Sequence, residues 1–383
     1  MKNPFNPSPG ALTKGFVGRD KEVSEINVLI KALSPDNLKP KALICFGPRG
    51  NGKTALLRHI AKNSERFSTE LGLDTPVKTV ITTPDDCDIP VLYSVITGKS
   101  LFVEERKQGK AGVDVNVALM KAGTEGAYTR VYESPIQTYV QLFTNVSKKS
   151  PILLCIDEAH TMPSRQMRSL LQDIQKCSEH NVAVSVVLAG TPGLETLIST
   201  CGAMFAERYP KIRVGPLKEH EAKAVLTNPF REYGMELPKE RIKETMDACH
   251  NYPYFLQAYG DAIWEHCVEN GMLVERDSMW ERAAEDFDLS KKDMHQTRYK
   301  EIRREGMLQS AYLIAEAFKD KEFLPHEYLV RVLKEQGVTD PVMSIEKLND
   351  FGYIWEPRGD LKYAHGTPSL MDFVVNELDM GKA

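Results

Sequence analysis

With 383 residues the chain is too long for one ordinary hydrophobic core, so two or three domains are expected. Apolar residues make up 42% and charged residues 27%, the composition of a soluble globular protein. A net charge of −4 excludes a global attraction to nucleic acid or to an anionic membrane, so any basic surface must be local.

Residues 1–15, with Pro4, Pro7 and Pro9, read as an arm rather than a helix. KEVSEINVLIKAL (21–33) carries apolar residues at helical spacing. KALICFG (41–47) reads as a buried strand ending in Gly, KTALLRHIAKNSERF (53–67) as a helix and VKTVITT (77–83) as a second strand. The stretch 84–134, with the Gly-rich KQGKAGVDVNVALMKAGTEGAY, reads as a hairpin or a mobile insertion. QTYVQLFTNVSKK (137–149) and SRQMRSLLQDIQKCSEH (164–180) are helical, while PILLCIDEA (151–159) and VAVSVVLAG (182–190) are strands. Apolar strands alternating with helices predict an α/β fold whose parallel sheet is covered on both faces.

After IRVGPL (212–217) the pattern becomes helical, at 218–232, 238–250 and 253–269. A basic, polar connecting helix is expected over 289–307. Helices at 308–319, 325–336 and 341–351, followed by two short strands in YIWEPRGDLKYAH (353–365), predict a winged helix. The expected division is an arm (1–15), an α/β core (16–217), a helical domain (218–288) and a linker helix with the winged-helix domain (289–383). No run approaches the roughly 18–20 apolar residues of a membrane span, and MKNPFNPSPG has no signal-peptide core, so a cytoplasmic protein without membrane contact is expected. The seven scattered cysteines form no C-x-x-C pair and read as reduced, buried thiols.

Gly47, Gly52, Lys53 and Thr54 fit G-x-x-x-x-G-K-[ST] between a strand and a helix, the context that the motif requires. The loop Gly47-Pro48-Arg49-Gly50-Asn51-Gly52 is expected to wrap phosphate oxygens with its backbone, and the helix opening at Lys53, Thr54 and Ala55 adds positive potential. Lys53 would reach the β- and γ-phosphates of ATP or ADP, and Thr54 would ligate Mg²⁺. In ILLCIDEAH an apolar strand ends in paired carboxylates. Asp157 is expected to hold the Mg²⁺, and Glu158 to polarise the attacking water. The letters DEAH also match a helicase motif, but nothing else of a helicase core is present, and His160 reads as a local structural residue.

FVGRDKEV (16–23) resembles the GR-x-x-E box that precedes the phosphate loop in AAA+ and STAND ATPases. The start NPFNPSPGALTKGFVGR, the segment NYPYFLQAYGDAIW (251–264) and the C-terminal IEKLNDFGYIWEPRGDLKYAHGTPSLMDFVV are similar to a bacterial and archaeal family of ATP-binding proteins related to origin-recognition initiators. The resemblance implies an AAA+-like P-loop core with a helical lid and a winged helix. It places Gly18, Arg19 and Glu22 near the adenine and ribose, and Thr191 at the sensor-1 position, where Asn is the more usual residue. It places Arg208 at the arginine-finger position, with Arg213 as a second candidate; a surface or lid salt bridge is the plain alternative for Arg208. Pro253 stands in the lid where such initiators usually carry an Arg. A Pro there resembles the STAND class of nucleotide-dependent switches and implies slow turnover. His365 would sense phosphate, or serve only structure.

Two roles follow. One is a DNA-associated regulator that holds duplex DNA through the winged helix and through Lys291, Lys292, Arg298, Lys300, Arg303 and Arg304. Against it, Glu346 and Asp350 lie on the expected recognition helix, and 291–304 also reads as a solvated helix or tether. The other role is a STAND-like switch that controls self-assembly or a separate protein partner, in stress response or anti-phage defence. A nucleotide-binding scaffold without useful hydrolysis is disfavoured by the presence of Lys53, Asp157 and Glu158 together.

Overall fold

The computed structural model describes residues 2–8, 16–35, 38–39, 41–101, 136–269, 272–319 and 321–380. Helix α1 (Asp20–Lys31) leads into β1 (Ala42–Phe46), α2 (Lys53–Glu70), β2 (Lys78–Thr82) and α3 (Ile89–Thr97). Then come α4 (Tyr139–Val146), β3 (Ile152–Ile156), α5 (Ser164–Glu179), β4 (Val184–Gly190), α6 (Gly193–Thr200) and β5 (Lys211–Arg213). The five strands form one parallel sheet in the order β2-β3-β4-β1-β5.

Every residue of β1, β3 and β4 is buried, because helices cover both faces. Ala42, Ile44, Phe46, Ile152, Leu154 and Ile156 join the core built with α3 to α6. Leu43, Cys45, Leu153 and Cys155 join the opposite core, with α1 and α2. Two buried faces explain why these strands read as unbroken apolar runs rather than as alternations. In the stretch 84–134, residues 84–86 make a single helical turn and α3 follows; the Gly-rich pieces expected to form a hairpin or insertion lie outside the described residues. The seven cysteines are buried free thiols, and burial pushes that of Cys45 up to about 12. Among the described residues, no helix is long and apolar enough to cross a membrane.

The helical unit expected as a lid comprises α7 (Glu219–Glu232), α8 (Lys239–Cys249), α9 (Pro253–Cys267) and the short hairpin β6 (Val268–Glu269) and β7 (Met272–Leu273). Residues 2–8 lie along it: Phe5 is buried with its ring 5.4 Å from that of Phe230, and the Asn3 amide donates to Asp261 and Glu265. The connecting helix expected from 289 is the second half of α10 (Asp277–Arg304), a 28-residue helix. Its first half buries Trp280, Ala283 and Phe287 in the lid core, and Ile302 enters the C-terminal core. The change in composition near 289 marks a change of surroundings, not of backbone, so the 288/289 division falls inside one helix.

The C-terminal unit contains α11 (Leu308–Phe318), β8 (Leu324–Pro325), α12 (His326–Glu335), α13 (Pro341–Asp350), β9 (Ile354–Trp355), β10 (Lys362–His365) and α14 (Leu370–Met380). Its antiparallel sheet has the order β8-β10-β9. This unit is seated on the core that holds the parallel sheet. Asp350 of α13 accepts a 2.8 Å hydrogen bond from Thr196 of α6. The Trp355 ring presses on Gly215, and Gly352 lies against Pro48, where an added Cβ would stand 3.3 Å from the Pro48 Cα.

The lid is seated on the phosphate loop through Gly50, whose φ of 80° places it in the left-handed region. The Tyr252 hydroxyl donates to the Arg49 carbonyl and fills the space that a Gly50 side chain would need. Gly50→Ala is therefore expected to destabilise the protein by about 1–3 kcal/mol, through combined strain and clash, and to lower its melting temperature. The companion Gly72→Ala also has positive φ but meets no neighbour within 4 Å, so it should cost less.

His295 of α10 is buried between Phe255 of the lid and Phe373 of α14, with Nε2 donating to the Pro368 carbonyl at 3.0 Å. Burial pushes its pKa down to about 4 from an ordinary 6.5. In the unfolded chain this histidine takes up its proton near pH 6.5; in the folded chain it resists until about pH 4. Its contribution is therefore complete above pH 6.5 and lost as pH falls toward 4, by up to about 3 kcal/mol. In His295→Gln, urea midpoints measured from pH 7 to pH 4 should fall less steeply than in the wild type.

Candidate nucleotide site

In the sheet order, β4 stands between β1 and β3, so the loops after all three strands leave the same edge. That edge gathers Gly47, Asp157 and Thr191, as expected where a parallel sheet opens a crevice at its carboxyl ends. The Gly47 N–H donates to the Gly190 carbonyl at 3.3 Å, which ties the phosphate loop to the end of β4. Gly52, with φ 85°, starts α2.

Lys53 is buried, and its Nζ donates to the carbonyls of Gly47 and Pro48 at 2.8 and 2.9 Å. Burial lowers its pKa, opposed by the nearby Glu158 carboxylate. A buried ammonium held only by loop carbonyls at contact distance is well placed to exchange them for an anion. Thr54 Oγ1 donates to Asp157 Oδ2 at 2.5 Å, and Asp157 Oδ1 accepts from the Glu158 N–H at 3.0 Å. Glu158 has φ 53° and Arg19 has φ 63°, two non-glycine residues in the left-handed region at one site.

His160 Nδ1 lies 3.4 Å from the Thr191 N–H, which donates to it, and 3.5 Å from Glu158 Oε2. Burial, with Arg49 and Lys53 nearby, pushes the His160 pKa down to about 4. The ring is therefore neutral at pH 7, and its approach to Glu158 is not an ion pair. The hydroxyl of Thr191 is buried and has no hydrogen-bond partner among the described residues, and the Asn51 side chain has none there on either atom. Two orphaned polar groups beside a phosphate loop fit an absent polar ligand.

A cavity of about 870 Å³ opens over the loop, lined by Arg19, Arg49, Gly50, Asn51, Gly52, Lys53, Thr54, Ala55 and Glu158. Pro253 and Tyr252 border it from the lid, Asn6 and Ser8 from the arm, and Asp293, Thr297 and Arg298 from α10. Arg19 holds the site together from beneath. Its guanidinium donates to the carbonyls of Asn51 and Gly215 and pairs with Glu22 at 3.1 Å, while the buried Glu221 carboxylate accepts from its N–H.

Gly18, Gly47, Pro48, Asp157 and Thr191 lie behind the lining rather than in it. Arg208 is exposed, away from the cavity, and has no ion pair among the described residues. Arg213 lies 5.1 Å over the Phe46 ring and 3.8 Å from Glu195, so it is held within its own subunit. His365 packs on Phe318 and is not among the lining residues. Of the basic residues expected to meet DNA, Lys291 pairs with Asp288, Arg304 with Glu305, and Arg298 faces the cavity; Lys292, Lys300 and Arg303 are exposed. Sequence reading missed Tyr252, Glu221 and Glu301. The visible signal for the last was the 3- and 4-residue spacing of the α10 stripe that ends at it.

A family model described as an AAA domain matches residues 38–198. No curated relative matches the sequence. Among solved structures, a Walker-type ATPase of Pyrococcus abyssi is similar over 97% of this chain and 99% of its own, with TM-score 0.62 and 15% identity. The Aeropyrum pernix ORC2 protein, solved in ADPNP–ADP complexes, is similar over 98% of both chains, with TM-score 0.58 and 11% identity. At such identities the likeness is one of fold. Residues 38–198 thus match an AAA domain, and the chain shares the fold of the Pyrococcus Walker-type ATPase and the Aeropyrum ORC2 protein.

Proposed function

We propose that the protein binds and slowly hydrolyses ATP with Mg²⁺, as a switch that holds or releases its C-terminal unit. The observation that carries this reading is the closed arrangement around one phosphate loop. Lys53, Thr54 and Glu158 meet in a single cavity, and the C-terminal unit rests on the same loop through Gly352 and Pro48.

The touching Thr54 hydroxyl and Asp157 carboxylate offer two oxygen donors, a fit for Mg²⁺ completed by phosphate and water. When bound, that ion would neutralise charge on the β- and γ-phosphates. Lys53 would exchange the Gly47 and Pro48 carbonyls for phosphate oxygens. Glu158, half exposed to the cavity, would accept the proton of the water attacking the γ-phosphorus as the bond to the β-bridging oxygen breaks, which yields ADP and phosphate. The free Thr191 hydroxyl would donate to the transferring group. Arg208, exposed and unpaired, is available to a second copy of the chain in a homo-oligomer.

The C-terminal unit has the three helices and hairpin expected of a winged helix, and the C-terminal end of its third helix is pinned to α6 by the Asp350–Thr196 bond while Val342, Met343 and Glu346 stay exposed. This favours the switch over standing attachment to duplex DNA. DNA or a protein partner would be engaged after release, through this face and the exposed Lys292, Lys300 and Arg303.

ATP turnover by the purified chain is expected to be slow, and duplex DNA should leave it unchanged. Glu158→Gln should lower turnover by about 10²-fold or more and keep ATP binding. A wild-type rate that rises several-fold with DNA would overturn the closed-switch reading in favour of the DNA-associated one. Undiminished turnover in Glu158→Gln would remove Glu158 as the base.

A further inference from the structure

The face of α10 that looks into the cavity is laid out at helical spacing: Leu289, Ser290, Asp293, Met294, Thr297 and Arg298 all line it. Arg298 is the last of them along the helix and the one cation. Its place relative to the phosphate loop is set by Glu301, the next residue of the stripe. Glu301 accepts from Arg298 Nη1 at 2.9 Å and from Arg49 Nη1 at 3.3 Å. Because Arg49 belongs to the loop itself, Arg298 stands at the phosphate end of the cavity.

One carboxylate between two guanidiniums leaves a positive charge unbalanced. The Arg298 and Glu301 side chains are only 22% and 20% exposed, so this charge is poorly screened. The other cavity cations are engaged: Lys53 with two loop carbonyls, and Arg19 with the Asn51 and Gly215 carbonyls and Glu22. Arg298 and Arg49 share one acidic partner, so both are freer than Lys53 and Arg19 to turn to an added negative group, and of the two Arg298 is the one carried by α10.

We infer that Arg298 recognises the terminal phosphate of bound ATP by exchanging Glu301 for a γ-phosphate oxygen. With ADP, Arg298 stays on Glu301 and the loop stays clasped to α10 through Arg49. With ATP, Arg298 turns to the nucleotide and Glu301 is left to Arg49 alone. Ile302, one residue beyond Glu301, is buried in the C-terminal core, so the exchange acts on the element that carries that unit. The inference rests on the ATP reading above.

The test is a calorimetric titration of the full chain with ATP and with ADP, in Mg²⁺, for wild type, Arg298→Gln, Glu301→Gln and Lys53→Ala. Arg298→Gln should weaken ATP by about tenfold or more, the effect of one charge-assisted bond, and ADP by less than about twofold. Glu301→Gln, which frees Arg298, should raise the ATP-over-ADP preference. Lys53→Ala should weaken both nucleotides. Equal losses for ATP and ADP in Arg298→Gln, or an unchanged or lowered preference in Glu301→Gln, would overturn the inference while leaving ATP binding intact. A wild type that binds neither nucleotide would overturn the ATP reading and the inference with it.

Discussion

Thr54 and Asp157 are 103 residues apart in sequence and meet at 2.5 Å. Their contact exists because β4 separates β1 from β3 in a parallel sheet, so that two distant loops leave one edge. A carboxylate held against the start of a helix, with a buried ammonium beside it, concentrates charge of both signs at that edge. The lid, the arm and α10 then matter chiefly as walls that keep water away from this edge, where charge interactions strengthen as the dielectric falls.

Burial of the sheet on both faces supplies the rigidity that the site needs. Arg19 shows how far that reaches. It sits in a left-handed conformation, yet it is fixed by Glu221 from the lid and by carbonyls on either side of the loop. The strained residue is over-determined by its neighbours, so the cost of its conformation is met by contacts that also join lid to core. Tyr252 and Asp350 repeat the pattern, each a single polar group that closes one unit onto another.

What was legible in the sequence was local. The phosphate loop, the paired carboxylates and the apolar strands are contiguous signals, and the structure places them together. The helices of the C-terminal unit were legible for the same reason, with α13 found within a residue of its expected ends. Two short elements without such signals were missed: α6, with eight residues, and β5, with three. The role of Arg298 was hidden because a basic residue on a polar helix looks the same whether it faces solvent, DNA or a cavity. Only the fold shows that Arg49 of the loop lies across from the Arg298–Glu301 pair. The reach of α10 was obscured because its buried residues belong to two different cores.

The length of α10 has a mechanical consequence. At 28 residues it is about 42 Å long, with one end embedded in the lid and the other in the C-terminal unit. A rigid rod of that length multiplies small rotations: a tilt of about 10° at the lid end carries the far end by about 7 Å. That displacement exceeds the reach of the hydrogen bond between Asp350 and Thr196 and of the contact between Gly352 and Pro48. A tilt of that size at one end of the rod is therefore enough, at its other end, to break the seats of the C-terminal unit on the core.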